Sequence, residues 1–104
     1  MEITNQREGK TMKIVLAGNV DETGAEQMKE AFSALDLKGV ETVIVSFDKV
    51  SYIGSSGIGK LLLFYKNIGI QNISLQVVGV STVIHELFME LKLDTIFHVA
   101  KGKG

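Results

Sequence analysis

Val50-Ser51-Tyr52-Ile53-Gly54-Ser55-Ser56-Gly57-Ile58-Gly59 is the stretch on which the reading of this chain turns. It joins Val40 to Phe47, a β-branched apolar run with the character of a buried central strand, to an apolar run from about Gly57 to Asn67 with helical spacing. Two adjacent hydroxyls flanked by glycines therefore stand where a helix begins. The first turn of a helix carries unpaired backbone N–H groups and partial positive charge, which favours anions and phosphate. A serine in that place can be a cap, a nucleophile, a nucleotide contact or a site of phosphorylation.

Outward from this turn, strands and helices alternate. Glu2 to Glu8 reads as a short strand, turning through Gly9-Lys10 into a second strand over Met12 to Ala17. Gly18-Asn19-Val20-Asp21 is expected to turn the chain, and Thr23-Gly24-Ala25-Glu26 has the spacing of a capping box. The helix it opens presents Met28, Phe32 and Leu35 on one face and is expected to end near Lys38-Gly39. Ile73 to Val78 reads as a strand, Ser81 as the cap of a third helix carrying Ile84, Leu87, Phe88 and Leu91, and Thr95 to Ala100 as a last short strand. The alternation predicts an α/β fold: a mixed, largely parallel sheet of about four to five strands with helices packed on it. The serine turn then lies beyond the carboxyl end of a central strand, where open α/β sheets place their sites.

The bulk properties narrow the function classes. The 104 residues are expected to form a single domain over 1–104 with one core, since 45% of them are hydrophobic. A formal charge of −1 gives no basic excess for binding nucleic acid. Lys101 and Lys103, in a Gly-Lys tail, read as solvated. Without cysteine there is no disulfide or thiolate metal site, and the two histidines have no carboxylates at ligand spacing, so neither metal nor cofactor is expected. No run is long enough for a membrane span and no signal-like segment opens the chain, so a cytoplasmic location is the expectation, and the near-neutral charge and compact size suit a monomer.

Two catalytic roles for the serine turn fail on chemistry. Gly54 to Gly59 followed by Lys60 matches part of a phosphate-binding P-loop, but Leu61 replaces the hydroxyl residue that holds Mg²⁺. A nucleophile elbow needs glycine where Ile58 stands, and His85 and His98 both sit in apolar patterns unsuited to a catalytic base. A plain cap remains possible and accounts for one serine of the two. On a helical wheel Ile58, Leu61, Leu62, Tyr65 and Ile68 form the expected buried face, with Ser55 at its edge as the better cap. Ser56 falls on the opposite side with Lys60, Leu63 and Asn67, which makes it the expected exposed hydroxyl and Leu63 either part of a docking surface or covered by another element.

With these segments in place the chain resembles the STAS family, the anti-sigma-factor antagonists and their relatives, over essentially its whole length. Leu16-Ala17-Gly18-Asn19-Val20-Asp21 is similar to one family block, and Val45 to Gly59, with Ser55-Ser56-Gly57 at its heart, to a second. The resemblance implies a non-enzymatic phospho-switch. The unmodified domain would bind an anti-sigma factor that is also a serine kinase, phosphorylation of the second serine would break that complex, and a serine phosphatase would restore it. By position the phosphorylated residue is Ser56, and Gly54, Ser55, Gly57, Lys60 and Leu63 are the expected partner contacts. Gly54 stands where the family usually has aspartate. That departure favours the alternative, a non-phosphorylated STAS-type adaptor or scaffold subunit of a larger regulatory or transport complex.

Overall fold

Buried side chains line up across the sheet in rows. Met12, Val43 and Leu75 are register partners in one row, and Ile14, Val45 and Val77 in the next, and all six are buried. This is a computed structural model that describes residues 1–102, so Lys103 lies outside the described residues. The strands are β1 (Glu2–Glu8), β2 (Thr11–Val20), β3 (Thr42–Ile53), β4 (Ser74–Val80) and β5 (His98–Lys101), and they stand in the order β1-β2-β3-β4-β5. Only β1 runs antiparallel, to β2; the other neighbours are parallel. The expected α/β architecture is therefore the one observed.

Three helices make the crossovers: α1 (Glu22–Ser33), α2 (Ser55–Gly69) and α3 (Thr82–Glu90). Each crossover steps one strand in the same direction, and right-handed connections of that kind put their helices on the same face of a sheet. Met28 and Phe32 of α1, Leu61 and Phe64 of α2, and Phe88 of α3 join the strand residues in one core. Phe88 meets Phe47 edge-on, with ring centroids 5.9 Å apart. A row across the strands, Lys13, Ile44, Gln76 and His98, is exposed or half-buried throughout. No helix of the described residues is long and apolar enough to cross a membrane.

Several boundaries differ from the expected ones, each for a physical reason. The chain does not turn at Gly18: β2 continues to Val20, kinked by register shifts near Ala17 and Gly18, the latter at φ +119°. The cap of α1 is Asp21, not Thr23; the Gly24 N–H donates to Asp21 Oδ1 at 2.8 Å. That helix ends at Ser33, well before Lys38. β3 runs past Asp48-Lys49 to Ile53 because β2 continues to pair with it after its pairing with β4 has ended at Ser46. Lys92, at φ +58°, closes α3 into a short 3-10 turn at Leu93–Thr95, which delays the last strand to His98 and takes Lys101 into it. Ser81 does cap α3, accepting from the Ile84 N–H at 3.2 Å.

The long β2–β3 pair is what positions the serine turn. Val20 and Ile53 are partners at its far end, and the Gly54 N–H donates to the Val20 carbonyl at 3.0 Å. Asp21 and Gly54, the caps of α1 and α2, therefore follow from adjacent strand ends. The first turn of α2 lies so close to them that a Cβ on Gly57 would stand 2.5 Å from Val20 Cγ1 and 2.9 Å from Ile53 Cγ1. Gly59 has nothing within 4 Å. Overpacking of about 1–3 kcal/mol, offset by up to about 1 kcal/mol of helix propensity, should make Gly57→Ala destabilising by about 1–2 kcal/mol. Gly59→Ala gains only the propensity and should stabilise by about 0.5–1 kcal/mol. Urea midpoints moving in opposite directions would bear this out, and a Gly57→Ala midpoint at or above the parent's would contradict the close approach.

Candidate functional site

Around the serine turn the backbone is extended at Gly54 (φ −95°, ψ −179°), and α2 starts at Ser55. Gly54 itself is the N-cap, with no side chain to offer the free N–H groups. The expectation that Ser55 caps the helix is thus corrected, because the helix begins two residues before Gly57 and takes Ser55 into its first turn. The expected order of exposure is reversed as well: Ser55 is exposed and Ser56 half-buried, because the side of α2 that carries Ser56 faces the flank beside α1.

The buried stripe of α2 is Gly57, Leu61, Phe64 and Ile68, with Ile58, Leu62 and Tyr65 half-buried on one flank. Relative to the expected face it is turned toward α1. Phe32 of α1 stacks on Phe64 with centroids 4.0 Å apart and planes at 21°, an arrangement that stabilises by about 0.5–1.5 kcal/mol beyond its buried area. Ser56, Lys60, Leu63 and Asn67 do share one stripe, as the wheel predicted, but it lies on the flank beside α1 and not at the outermost line.

That flank forms a surface hollow of about 500 Å³, lined by Glu22 and Glu26 of α1 and by Ser56, Gly59, Lys60 and Leu63 of α2. Lys60 Nζ lies 3.4 Å from Glu26 Oε1, with the lysine side chain 27% exposed. Leu63 is 46% exposed. Beyond Lys60 and Leu63, which it shares, a second hollow of about 350 Å³ continues between the helices over Phe32, Leu35, Leu37 and Phe64. Of the expected contact residues, the structure brings Lys60 and Leu63 into one hollow with Ser56, the expected phosphorylation site. Ser55 faces solvent, and Gly57 is buried as the seat of the helix. His85 lies on α3 and His98 on β5, and neither lines the hollow. Among the described residues no three metal-binding side chains converge.

Two features had no usable signal in the sequence. Glu22 and Glu26 enter the site only because β2 and β3 are adjacent and their helices start side by side. Tyr52, 53% exposed, reaches back over the cap: a Cβ on Gly54 would be 2.9 Å from its hydroxyl oxygen. The contact is with the far end of a flexible side chain, and the backbone at Gly54 suits any residue.

Comparison with known proteins agrees with this fold. The family described as "Mlab, STAS domain" matches residues 3–99. An anti-sigma-B factor antagonist of Staphylococcus aureus is 24% identical over 102 residues, covering 98% of this chain and 94% of its own. Among solved structures, an anti-sigma factor antagonist from Mycobacterium paratuberculosis superposes with a TM-score of 0.84 at 17% identity, over 95% of this chain and 84% of that one. The Bacillus cell-fate determinant SpoIIAA in its phosphorylated form gives 0.73 at 22% identity, over 96% and 92%. At these identities the structures speak for the fold.

Aspartate at the cap should be readily accepted. Gly54→Asp supplies an acceptor for the first-turn N–H groups and a negative charge at the helix start, and unfolding in urea should show a gain of about 0.3–1 kcal/mol. A loss of stability instead would mean that the Tyr52 ring does not yield.

Proposed function

The chain belongs to the STAS domain family, and from that premise we propose that it is an anti-sigma factor antagonist. In this reading residues 1–104 act as a single binding domain, a cytoplasmic monomer that holds an anti-sigma factor with serine-kinase activity while Ser56 is unmodified. The kinase transfers the γ-phosphoryl group of ATP to Ser56 Oγ, ADP leaves, the hydroxyl proton passes to the kinase, and the complex comes apart. A serine phosphatase hydrolyses the phosphoester, water taking the phosphoryl group away as inorganic phosphate and the Ser56 hydroxyl being restored. The S. aureus relative is named an antagonist of an anti-sigma factor, and that supports the reading. The observation that carries it is the placement of Ser56 in the first turn of α2, at the rim of an open hollow that the half-exposed Leu63 also lines.

Magnitudes favour a switch that acts on docking and leaves the fold intact. Phosphoserine adds about −1.5 to −2 charge at pH 7. At this half-buried helix start the dipole stabilises that charge by only about 0.3–2 kcal/mol. Nearby carboxylates such as Glu22 and Glu26 oppose it by comparable amounts, so the two small terms leave the fold nearly untouched. Burying the same charge under a partner without a matching cation is far more costly, and about 3 kcal/mol is already a hundredfold in affinity.

Gly54 supports a second reading, a STAS-type adaptor or scaffold subunit without phosphorylation. The cap carries no carboxylate and the Tyr52 hydroxyl lies over it, so a kinase that reads an acidic residue before the serine pair would find none.

Incubation with the source organism's kinase-type anti-sigma factor and ATP should add one phosphate by intact mass, lost in Ser56→Ala and kept in Ser55→Ala. An unmodified mass turns the assignment to the adaptor, and phosphate surviving Ser56→Ala overturns Ser56 as the modified residue. Ser56→Asp should weaken binding of the same anti-sigma factor about a hundredfold while changing stability by less than about 1 kcal/mol. Calorimetric titration and urea unfolding measure the two effects separately.

A further inference from the structure

Lys60 is a cation with two claimants. It projects from α2 one turn beyond Ser56, a spacing at which side chains on a helix meet, with Cβ atoms about 5–6 Å apart. Its ammonium lies 3.4 Å from Glu26 of α1. Ser56, Lys60, Glu26 and Glu22 line the same hollow, so a phosphate on Ser56 would enter a space holding two carboxylates and one ammonium. A dianion attracts that ammonium more strongly than a single carboxylate does, and it is repelled by both glutamates.

We infer that Lys60 is an exchangeable counter-ion, bridging α2 to Glu26 of α1 in the unmodified protein and passing to the phosphate when Ser56 is modified. The exchange releases Glu26 and changes the rim that the two hollows share, since Lys60 lines both. Phosphorylation is then felt along the α1–α2 groove as well as at the serine. Phe32 stacked on Phe64 keeps the helices together meanwhile. The inference rests on Ser56 as the modified residue, but its test does not need the natural kinase.

Phosphoserine can be placed at position 56 during translation by amber suppression, and the second ionisation of the phosphate followed by ³¹P NMR against pH. A cation favours the dianion and lowers that pKa. Lys60→Gln should therefore raise it, by about 0.2–0.7 of a unit for a partly exposed pair. Glu26→Gln should lower it by freeing Lys60, and most of that effect should vanish in the Lys60→Gln background. No change on Lys60→Gln overturns the inference. So does an equal effect of Glu26→Gln with and without Lys60, because Glu26 would then act by simple repulsion. The Glu26 side chain is exposed and that of Lys60 partly buried, and circular dichroism checks that each variant keeps its fold. A natural kinase that leaves Ser56 untouched would refute the functional reading and would not alter this measurement.

Discussion

The first turn of α2 rests directly on the paired ends of β2 and β3, and the rest of the site depends on that approach. Gly57 permits it: any larger residue would drive into Val20 and Ile53. The two strand ends are partners, so the helices that leave them, capped at Asp21 and Gly54, begin side by side. That adjacency carries Glu22 and Glu26 of one helix to Ser56 and Lys60 of the other. A single absent side chain thus links the strand register to the composition of the hollow.

Unequal forces hold the two helices together there. Phe32 and Phe64 are both nearly buried and stacked, and burying a phenylalanine side chain is worth about 1.5–3 kcal/mol. The Glu26–Lys60 pair has its carboxylate 60% exposed, and exposed pairs contribute about 0.2–1 kcal/mol. The aromatic contact therefore fixes the helix pair and the ion pair does not. A charge in the hollow can be rearranged without separating the helices.

Much of the fold was legible in local sequence. The β-branched run at Val40, the alternation at Met12 and the cap at Ser81 each carry their own signal, and together they predicted the order of elements and the parallel sheet. What escaped was tertiary in origin. Asp48-Lys49 reads as the end of a strand, and β3 passes through it because β2 continues alongside. The capping-box spacing at Thr23 lost to Asp21, which stands where the extended β2 leaves the helix to start. The wheel for α2 misplaced the buried face because it gave no weight to Gly57, which has no hydrophobic signal, and left out Phe64, whose burial comes from the Phe32 stack. In the site the stripe of Ser56, Lys60 and Leu63 was readable from helical spacing. The acidic wall of α1 was not, since nothing local says that residue 26 will meet residue 60.

Gly54 is the residue at which folding and recognition part company. A glycine is required where φ is positive or where a Cβ would strike something rigid. Neither holds here: the backbone is extended, and the nearest obstacle is the hydroxyl of an exposed tyrosine. Gly57, three residues on, meets both Val20 and Ile53 and is fixed by packing. The glycine at 57 therefore belongs to the scaffold, whereas the one at 54 answers to no demand of the fold. Its effect falls on the surface, where a neutral hydroxyl and an aromatic ring lie over the start of α2.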